Sequence, residues 1–220
     1  MRSLTRALIL DFGGVITRTL FETHDLTESA LGLPAGSLDW RGPFAPETDE
    51  LWRRMENGQI SERDYWLSRA REVGRLLGEE WRRMSDFTVR ARGDNPQAVI
   101  RPETLELIAR AKEAGKKLAI LSNELDLFYG ADFRDKLDFL REFDVIADAS
   151  HTGILKPDVR AYRECLTRLG EPAERCVFVD DQSKSVLGAA SVGLLAVHFD
   201  VRDPQGGCDR AAELLGLHCR

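Results

Sequence analysis

The sequence is poor in cysteine, and its cysteines have no paired spacing. Four occur in 220 residues, namely Cys165, Cys176, Cys208 and Cys219. A disulfide framework or a zinc site needs closely repeated cysteine or histidine pairs, so the pattern argues against both. The cysteines are expected to be reduced, buried or half-buried thiols, with Cys165 on the apolar face of a helix and Cys176 at the start of a strand.

Long apolar runs and blocks of basic residues are also missing. A membrane-spanning helix needs about 20 apolar residues in a row, and no stretch approaches that length. The chain carries 31 Lys and Arg against 37 Asp and Glu, a net charge of −6, and its basic residues cluster only in pairs such as Arg53-Arg54. We therefore expect neither a membrane nor a nucleic-acid partner. The first residues lack a signal-peptide cleavage pattern, so a cytoplasmic location is expected.

The most informative segment that is present is residues 7–15, which read Ala-Leu-Ile-Leu-Asp-Phe-Gly-Gly-Val. An uncharged apolar run predicts a strand that is buried on both faces. The strand ends at Asp11, and Gly13 and Gly14 then allow a turn that other residues avoid. In parallel α/β sheets the carboxyl ends of the strands carry the chemistry. Taken alone, Asp11 could equally be a helix N-cap.

Strand patterns alternate with helical patterns over the rest of the chain. Amphipathic spacing predicts helices over Thr104–Ala114 and Asp158–Leu169, each ended by a glycine. This alternation predicts a Rossmann-like α/β fold with a doubly wound parallel sheet. The four further predicted strands are Lys117–Leu121, Phe143–Ile146, Cys176–Asp180 and Leu194–His198.

A helical insert interrupts this alternation after the first strand. Ser61 and Asp64 have capping-box spacing, which predicts a helix start. We expect 1–17 and 96–220 to form the α/β core and 18–95 a helical cap, with residues 93–96 as the return hinge. All four tryptophans fall in the insert and are expected to form its core, although one of them could instead face a substrate. They are Trp40, Trp52, Trp66 and Trp81.

Hydroxyl, ammonium and carboxylate groups follow the predicted strand ends. A carboxylate such as Asp11 can accept a phosphoryl group, and the Ser122 hydroxyl can bind phosphoryl oxygens. Lys156 can neutralise negative charge on the Asp11 carboxylate and on the phosphoryl group. Asp180 and Asp181 repel each other unless a cation lies between them, and carboxylates are hard ligands that suit Mg²⁺. The set therefore suits metal-assisted phosphoryl transfer.

Four segments in order resemble motifs one to four of the haloacid dehalogenase-like (HAD) hydrolase superfamily. The insert is similar to the helical cap shared by haloacid dehalogenases, phosphoglucomutase-like enzymes and the N-terminal domain of soluble epoxide hydrolases. The resemblance covers nearly the whole chain and implies a Mg²⁺-dependent phosphatase acting on a small phosphorylated metabolite. The four segments are Asp11–Val15, Leu121-Ser122-Asn123, Lys156-Pro157-Asp158 and Val179-Asp180-Asp181.

The resemblance implies a metal site and names its ligands. Asp11 would be the nucleophile and one Mg²⁺ ligand. The backbone carbonyl of Gly13 would be the second ligand, and Asp181 the third, with Asp180 beside it in a supporting role.

The resemblance also implies how the phosphoryl group is bound. Ser122 would bind it, with Asn123 beside it, and Lys156 would balance the charge. The alternative for residues 156–158 is only a helix start with proline in the first turn.

The chain departs from the family pattern at Gly13. HAD phosphatases usually carry aspartate there, as the acid that protonates the leaving group and the base that activates water. Three alternatives follow: a phosphatase that uses good leaving groups or another acid such as His24, Asp25 or a substrate group; another hydrolase, such as a dehalogenase, which needs no acid; or a binding protein that has lost catalysis. The substrate is not specified, and a monomer and a dimer both remain open.

Overall fold

The computed structural model describes residues 5–92 and 95–217. The chain divides into two compact units. The first comprises Met1–Arg18, Ile100–Asp126 and Arg134–Arg220, and the second comprises Thr19–Val99 and Leu127–Phe133. The predicted hinge residues Gly93 and Asp94 lie outside the described residues.

The first unit contains a five-stranded parallel sheet in the order β3-β2-β1-β4-β5. The central strand pairs on both sides, with Leu10 opposite Ile120 and Val179. The predicted sheet with an inserted helical domain is confirmed, and the third strand begins two residues later than predicted because Phe143 ends a helical turn. The strands are β1 (Ala7–Leu10), β2 (Lys117–Ser122), β3 (Val145–Asp148), β4 (Cys176–Asp180) and β5 (Leu195–His198).

Helices cover both faces of this sheet. One face packs Ile9 and Ala119 against Tyr162 and Cys165, while the helix after residue 101 and the last helix contact each other and the sheet. The prediction for 158–169 is confirmed, with Asp158 as the N-cap. The helices that lie wholly in this unit are α5 (Pro102–Glu113), α7 (Ala149–Thr152), α8 (Val159–Leu169), α9 (Ser183–Ser191) and α10 (Pro204–Leu215).

The second unit is helical and is built around aromatic side chains. The predicted capping box is present, because the Ser61 hydroxyl and the Asp64 carboxylate each accept a backbone N–H of the other residue. The prediction of a tryptophan core is confirmed: Trp40, Trp66 and Trp81 are buried and Trp52 packs against the same cluster. Its helices are α1 (His24–Leu31), α2 (Glu50–Glu56), α3 (Glu62–Leu76) and α4 (Met84–Arg92).

The second unit also takes in a segment that the sequence analysis assigned to the core. Helix α6 (Leu125–Tyr129) leads into Leu127–Phe133, which groups with Thr19–Val99. The reason is aromatic packing: the Phe128 ring lies 6.4 Å from that of Trp66, and the Tyr129 hydroxyl accepts from buried Arg92 at 3.0 Å. The predicted core range 96–220 is corrected accordingly.

The described cysteines are buried thiols, and the described helices are not of the membrane-spanning kind. Cys165, Cys176 and Cys208 are free and buried, and Cys219 lies outside the described residues. Within 5–92 and 95–217, none of the helices combines the length and the apolar character needed to cross a membrane.

Candidate active site

Three adjacent strands of the first unit deliver the predicted site residues to one edge of the sheet. Asp11 directly follows β1, Ser122 ends β2 and Asp180 ends β4. Since β1 lies between β2 and β4, their carboxyl ends are neighbours. Asp11 and Ser122 are buried, at 9% and 7% exposed, and Asp180 is fully buried.

Lys156 joins two of these carboxylates. Its Nζ lies 2.8 Å from Asp11 Oδ1 and 2.6 Å from Asp180 Oδ2. The side chain is 3% exposed, and its ammonium lies 5.6 Å from the centroid of the Phe178 ring. A buried ammonium between two carboxylates is a fixed positive charge at the end of the central strand.

The Asn123 side chain holds the backbone of Lys156. Its Oδ1 accepts the Lys156 N–H at 2.7 Å, and its Nδ2 donates to the Lys156 carbonyl at 3.2 Å. The amide therefore positions the lysine across a sequence separation of 33 residues. Sequence reasoning placed Asn123 beside the phosphoryl group and missed this contact, because no periodic pattern signals it.

The two neighbouring aspartates after β4 have different environments. Asp180 accepts from Lys156 and from the Gln182 N–H at 2.8 Å, whereas Asp181 is half-buried. One carboxylate oxygen each from Asp11, Asp180 and Asp181 lies within 4.8 Å of the others. All three donors are hard oxygens, so the cluster fits a small divalent cation such as Mg²⁺.

Two glycines shape the turn after Asp11, which we call the glycine turn (Phe12–Ile16). Gly14 has a φ of +82°, and a Cβ there would lie 2.4 Å from Asp181 Oδ2. Only glycine allows both that backbone conformation and that close approach. Gly13 is different: its φ of −71° suits any residue, and a Cβ there would meet nothing within 4 Å.

Burial governs the charge states of the central pair. Desolvation, with help from Asp180, raises the pKa of Asp11 to about 6 against the attraction of Lys156. Burial opposes the charge on Lys156, but Asp11 and Asp180 outweigh it and raise the pKa of the ammonium. Lys156 is therefore protonated at neutral pH. A cation beside Asp11 would lower the pKa of its carboxyl.

His24, a sequence candidate for the missing acid, lies in the second unit. It is buried, its ring lies 4.4 Å from that of Trp40, and neither ring nitrogen has a hydrogen-bond partner among the described residues. Burial, followed by the charge of Arg41, lowers its pKa below 6.5. His24 is therefore neutral at pH 7, and a neutral imidazole is a poor proton donor.

A second group of carboxylates in the first unit is already partly neutralised. Asp126, Asp148 and His151 are close enough to share a cation. However, Arg134 contacts Asp126 at 2.6 Å and Asp148 at 2.8 Å, and His151 contacts Asp126 at 2.7 Å. Arg134 there balances the charge of one of two carboxylates, whereas the Asp11 cluster holds three carboxylates, two of which share Lys156. The Asp11 cluster is therefore the better candidate for a metal site.

A cavity of 490 Å³ lies within the second unit and is lined by residues of both charges. Asp39 and Glu50 line it together with Arg54 and Arg69, and Arg69 is already paired with Asp49 at 2.6 Å. These mixed charges favour no single ligand, and the residues predicted for the site are not among its lining.

The fold and this cluster define a class: proteins with a Rossmann-like α/β core, a carboxylate at the end of the central strand and an inserted helical unit. The model of the haloacid dehalogenase-like hydrolase family matches residues 5–193. The chain belongs to that family.

Two curated relatives match nearly the whole chain. The chain is 25% identical over 216 residues to the sesquiterpene phosphatase astK of Aspergillus oryzae, covering 96% of this chain and 97% of that protein. It is 27% identical over 214 residues to acyl-CoA dehydrogenase family member 10 of Mus musculus, covering 96% of this chain but 19% of that protein. The chain thus spans about a fifth of the mouse protein's length.

A solved structure supports the fold. The crystal structure of the HAD-hydrolase YfnB of Bacillus subtilis, bound to magnesium, matches with a TM-score of 0.65 over 89% of this chain and 87% of that one. At 18% identity, this likeness shows the fold alone.

Proposed function

We propose that the protein is a Mg²⁺-dependent phosphatase that hydrolyses a small phosphorylated metabolite through an aspartyl-phosphate intermediate. The observation that carries the proposal is Lys156, which lies between Asp11 and Asp180 beside three carboxylates that suit a cation. This arrangement balances the charge of a carboxylate nucleophile and of a phosphoryl group. The full-length match to a sesquiterpene phosphatase supports a phosphate substrate.

Asp11 and Asp181, with the carbonyl of Gly13, would hold the Mg²⁺. When bound, the ion neutralises the negative charge that otherwise keeps a phosphate away from Asp11. Asp180 is engaged by Lys156 and by a backbone N–H, so its role here is to hold the lysine.

The reaction then follows from the chain's own groups. An Asp11 carboxylate oxygen attacks the phosphorus in line, and the bond from phosphorus to the leaving oxygen breaks. Lys156, the Ser122 hydroxyl and the Asn123 backbone N–H stabilise the charge on the phosphoryl oxygens. Water then attacks the phosphorus of the aspartyl phosphate, which releases inorganic phosphate and restores the Asp11 carboxylate.

Leaving-group protonation is the step for which the glycine turn offers no side chain. General acid catalysis is worth about 10²–10⁴-fold in rate, and Gly13 cannot supply it. Substrates whose leaving groups depart as stable anions do not need it. We therefore propose that aryl and anomeric phosphates are hydrolysed faster than simple alkyl phosphates.

The first test measures phosphate release from p-nitrophenyl phosphate and a panel of sugar phosphates, with Mg²⁺ and with EDTA. We expect turnover with Mg²⁺, and its loss with EDTA that added Mg²⁺ reverses. Turnover that survives EDTA would contradict the metal-dependent mechanism. Chloride release from a 2-haloacid in EDTA would favour the dehalogenase alternative. Magnesium binding without turnover of any substrate would favour a binding role.

A second test restores the missing acid. Gly13→Asp is sterically allowed, because the backbone is extended and a Cβ meets no neighbour within 4 Å. We expect kcat/KM for alkyl phosphates to rise by up to about 10²-fold, with little change for p-nitrophenyl phosphate. Gly13→Asn is the matched control, because it has the same size without a transferable proton. If Mg²⁺ affinity is unchanged and no alkyl ester gains, the limitation does not lie in a missing acid.

A further inference from the structure

Three successive carbonyl groups of the glycine turn are bound by the start of helix α5. Arg101 Nε–H donates to the Gly14 carbonyl at 2.9 Å, and the Arg101 backbone N–H donates to the Ile16 carbonyl at 2.9 Å. The Thr104 hydroxyl donates to the Val15 carbonyl at 2.7 Å. These contacts all lie in the first unit, although the side-chain contacts cross 87 and 89 residues of sequence.

Both side chains are in the interior. Arg101 is 2% exposed and Thr104 is fully buried, and the guanidinium lies 5.5 Å from the centroid of the Phe199 ring. A buried charge is costly unless it is hydrogen-bonded, and a charged donor makes a stronger hydrogen bond than a neutral one. The arginine therefore fixes the backbone of the turn and is not a surface group.

The position of this turn decides the geometry of the candidate metal ligands. Gly13, whose carbonyl would bind the ion, directly precedes Gly14. Gly14 in turn lies so close to Asp181 that a Cβ would come within 2.4 Å of its Oδ2. A shift of the Gly14 carbonyl would therefore move the Gly13 carbonyl and change its distance to the carboxylate of Asp181.

We propose that Arg101 and Thr104 are positioning residues for the metal site. They hold the glycine turn so that the Gly13 carbonyl lies within reach of the same ion as the carboxylates of Asp11 and Asp181. The inference rests on the metal site of the proposed function and not on the phosphatase reaction. Partners that orient metal ligands typically change metal affinity by about 10–100-fold when they are replaced.

The experiment measures Mg²⁺ binding to the full chain by titration calorimetry without substrate. Thr104→Val keeps the shape and removes the hydroxyl, whereas Thr104→Ser keeps the hydroxyl. We expect the valine variant to raise the Kd for Mg²⁺ by about 10-fold and the serine variant to stay close to wild type. Arg101→Lys keeps the charge but loses the Nε donor, and it should weaken binding in the same direction.

Thr88→Val controls for the loss of a buried hydroxyl elsewhere. Thr88 is buried in the second unit, and its hydroxyl lies within hydrogen-bond distance of the carbonyl groups of Phe128 and Met84. Its valine variant should leave Mg²⁺ affinity unchanged.

Three other outcomes have separate meanings. Folded Thr104→Val and Arg101→Lys variants with wild-type Mg²⁺ affinity would overturn the positioning role alone. Wild type that binds no Mg²⁺ would overturn the positioning role together with the metal site. If wild type binds Mg²⁺ but releases no phosphate from any substrate, only the phosphatase proposal fails, and the Kd values still decide the role of Arg101 and Thr104.

Discussion

Asp11→Asn should abolish phosphate release while leaving the protein folded. The amide has the shape of the carboxylate but is a poor nucleophile and a poor ligand for a hard cation. Removing a catalytic nucleophile commonly costs about 10⁴–10⁶-fold in kcat, and we expect a loss in that range for p-nitrophenyl phosphate. Asp138→Asn is the matched control, because its side chain is 85% exposed and its ion-pair partner, Arg141 at 3.5 Å, is 80% exposed. An Asp11→Asn variant with more than about a tenth of the wild-type rate would exclude Asp11 as the nucleophile.

The same substitution should raise the stability of the metal-free protein. Burial raises the pKa of Asp11 from 3.8 to about 6, so between these values the folded state binds more protons than the unfolded state. Wild-type stability therefore falls as the pH rises through about 6. At about 1.4 kcal/mol per pKa unit, the cost at pH 8 is on the order of 2–3 kcal/mol. The neutral amide avoids this cost, and Asp180 remains as a buried counter-ion for Lys156 at 2.6 Å.

Urea unfolding in EDTA at pH 5 and pH 8 measures this effect. Asp11→Asn should exceed wild type in free energy of unfolding by more at pH 8 than at pH 5. A variant that is less stable than wild type at pH 8 would show that the Asp11 carboxylate stabilises the metal-free fold. Higher stability combined with lost activity is the trade-off expected at a strained catalytic site.

The sequence was sufficient to predict the strands that carry the site, because each buried strand has a local signal in the sequence. Buried strands appear as uncharged apolar runs, and the residues that follow them converge at one edge of a parallel sheet. The structure places Asp11, Lys156 and Asp180 in one cluster of the first unit. The roles that the resemblance gives these residues remain predictions.

The contacts that orient the site have no such local signal. The amide of Asn123 binds a backbone 33 residues away, and Arg101 and Thr104 bind a turn more than 80 residues earlier. In the sequence, Arg101 directly precedes helix α5 and Thr104 lies in its first turn, so both belong to an ordinary helix start. Hydrogen bonds between polar side chains and distant backbone groups produce no periodic pattern in the sequence. Only the three-dimensional structure shows them.

The division of the chain failed for a related reason. The segment Leu127–Phe133 follows a core strand in sequence and is rich in aromatic residues. Its membership of the second unit involves the contact of Phe128 with Trp66 and the hydrogen bond of Tyr129 with Arg92. A segment this short is too little for a periodic pattern, so these long-range contacts have no local signal in the sequence.

Lys156→Met should be the most destabilising substitution at the site. The methionine fills a similar volume but leaves Asp11 and Asp180, both buried, without their shared counter-ion at 2.8 and 2.6 Å. Breaking a buried ion pair by removing one partner typically costs about 3–5 kcal/mol, and we expect a loss of this size at pH 8 in EDTA. Activity should fall as well, because the charge opposite the phosphoryl group is gone.

The pH dependence and a matched lysine separate this effect from a general loss of packing. Without the ammonium, which lowers the pKa of Asp11, that pKa rises further. The folded state then takes up a proton more readily, so the deficit of Lys156→Met should shrink as the pH falls from 8 to 5. Lys112→Met is the control: its side chain is 50% exposed and pairs at 2.9 Å with Glu142, which is 53% exposed, and such surface pairs contribute about 0–1 kcal/mol. Urea unfolding of both variants across this pH range measures the difference. Equal, pH-independent losses would mean that Lys156 contributes packing alone, and the charge balance assigned to it would have to come from another group.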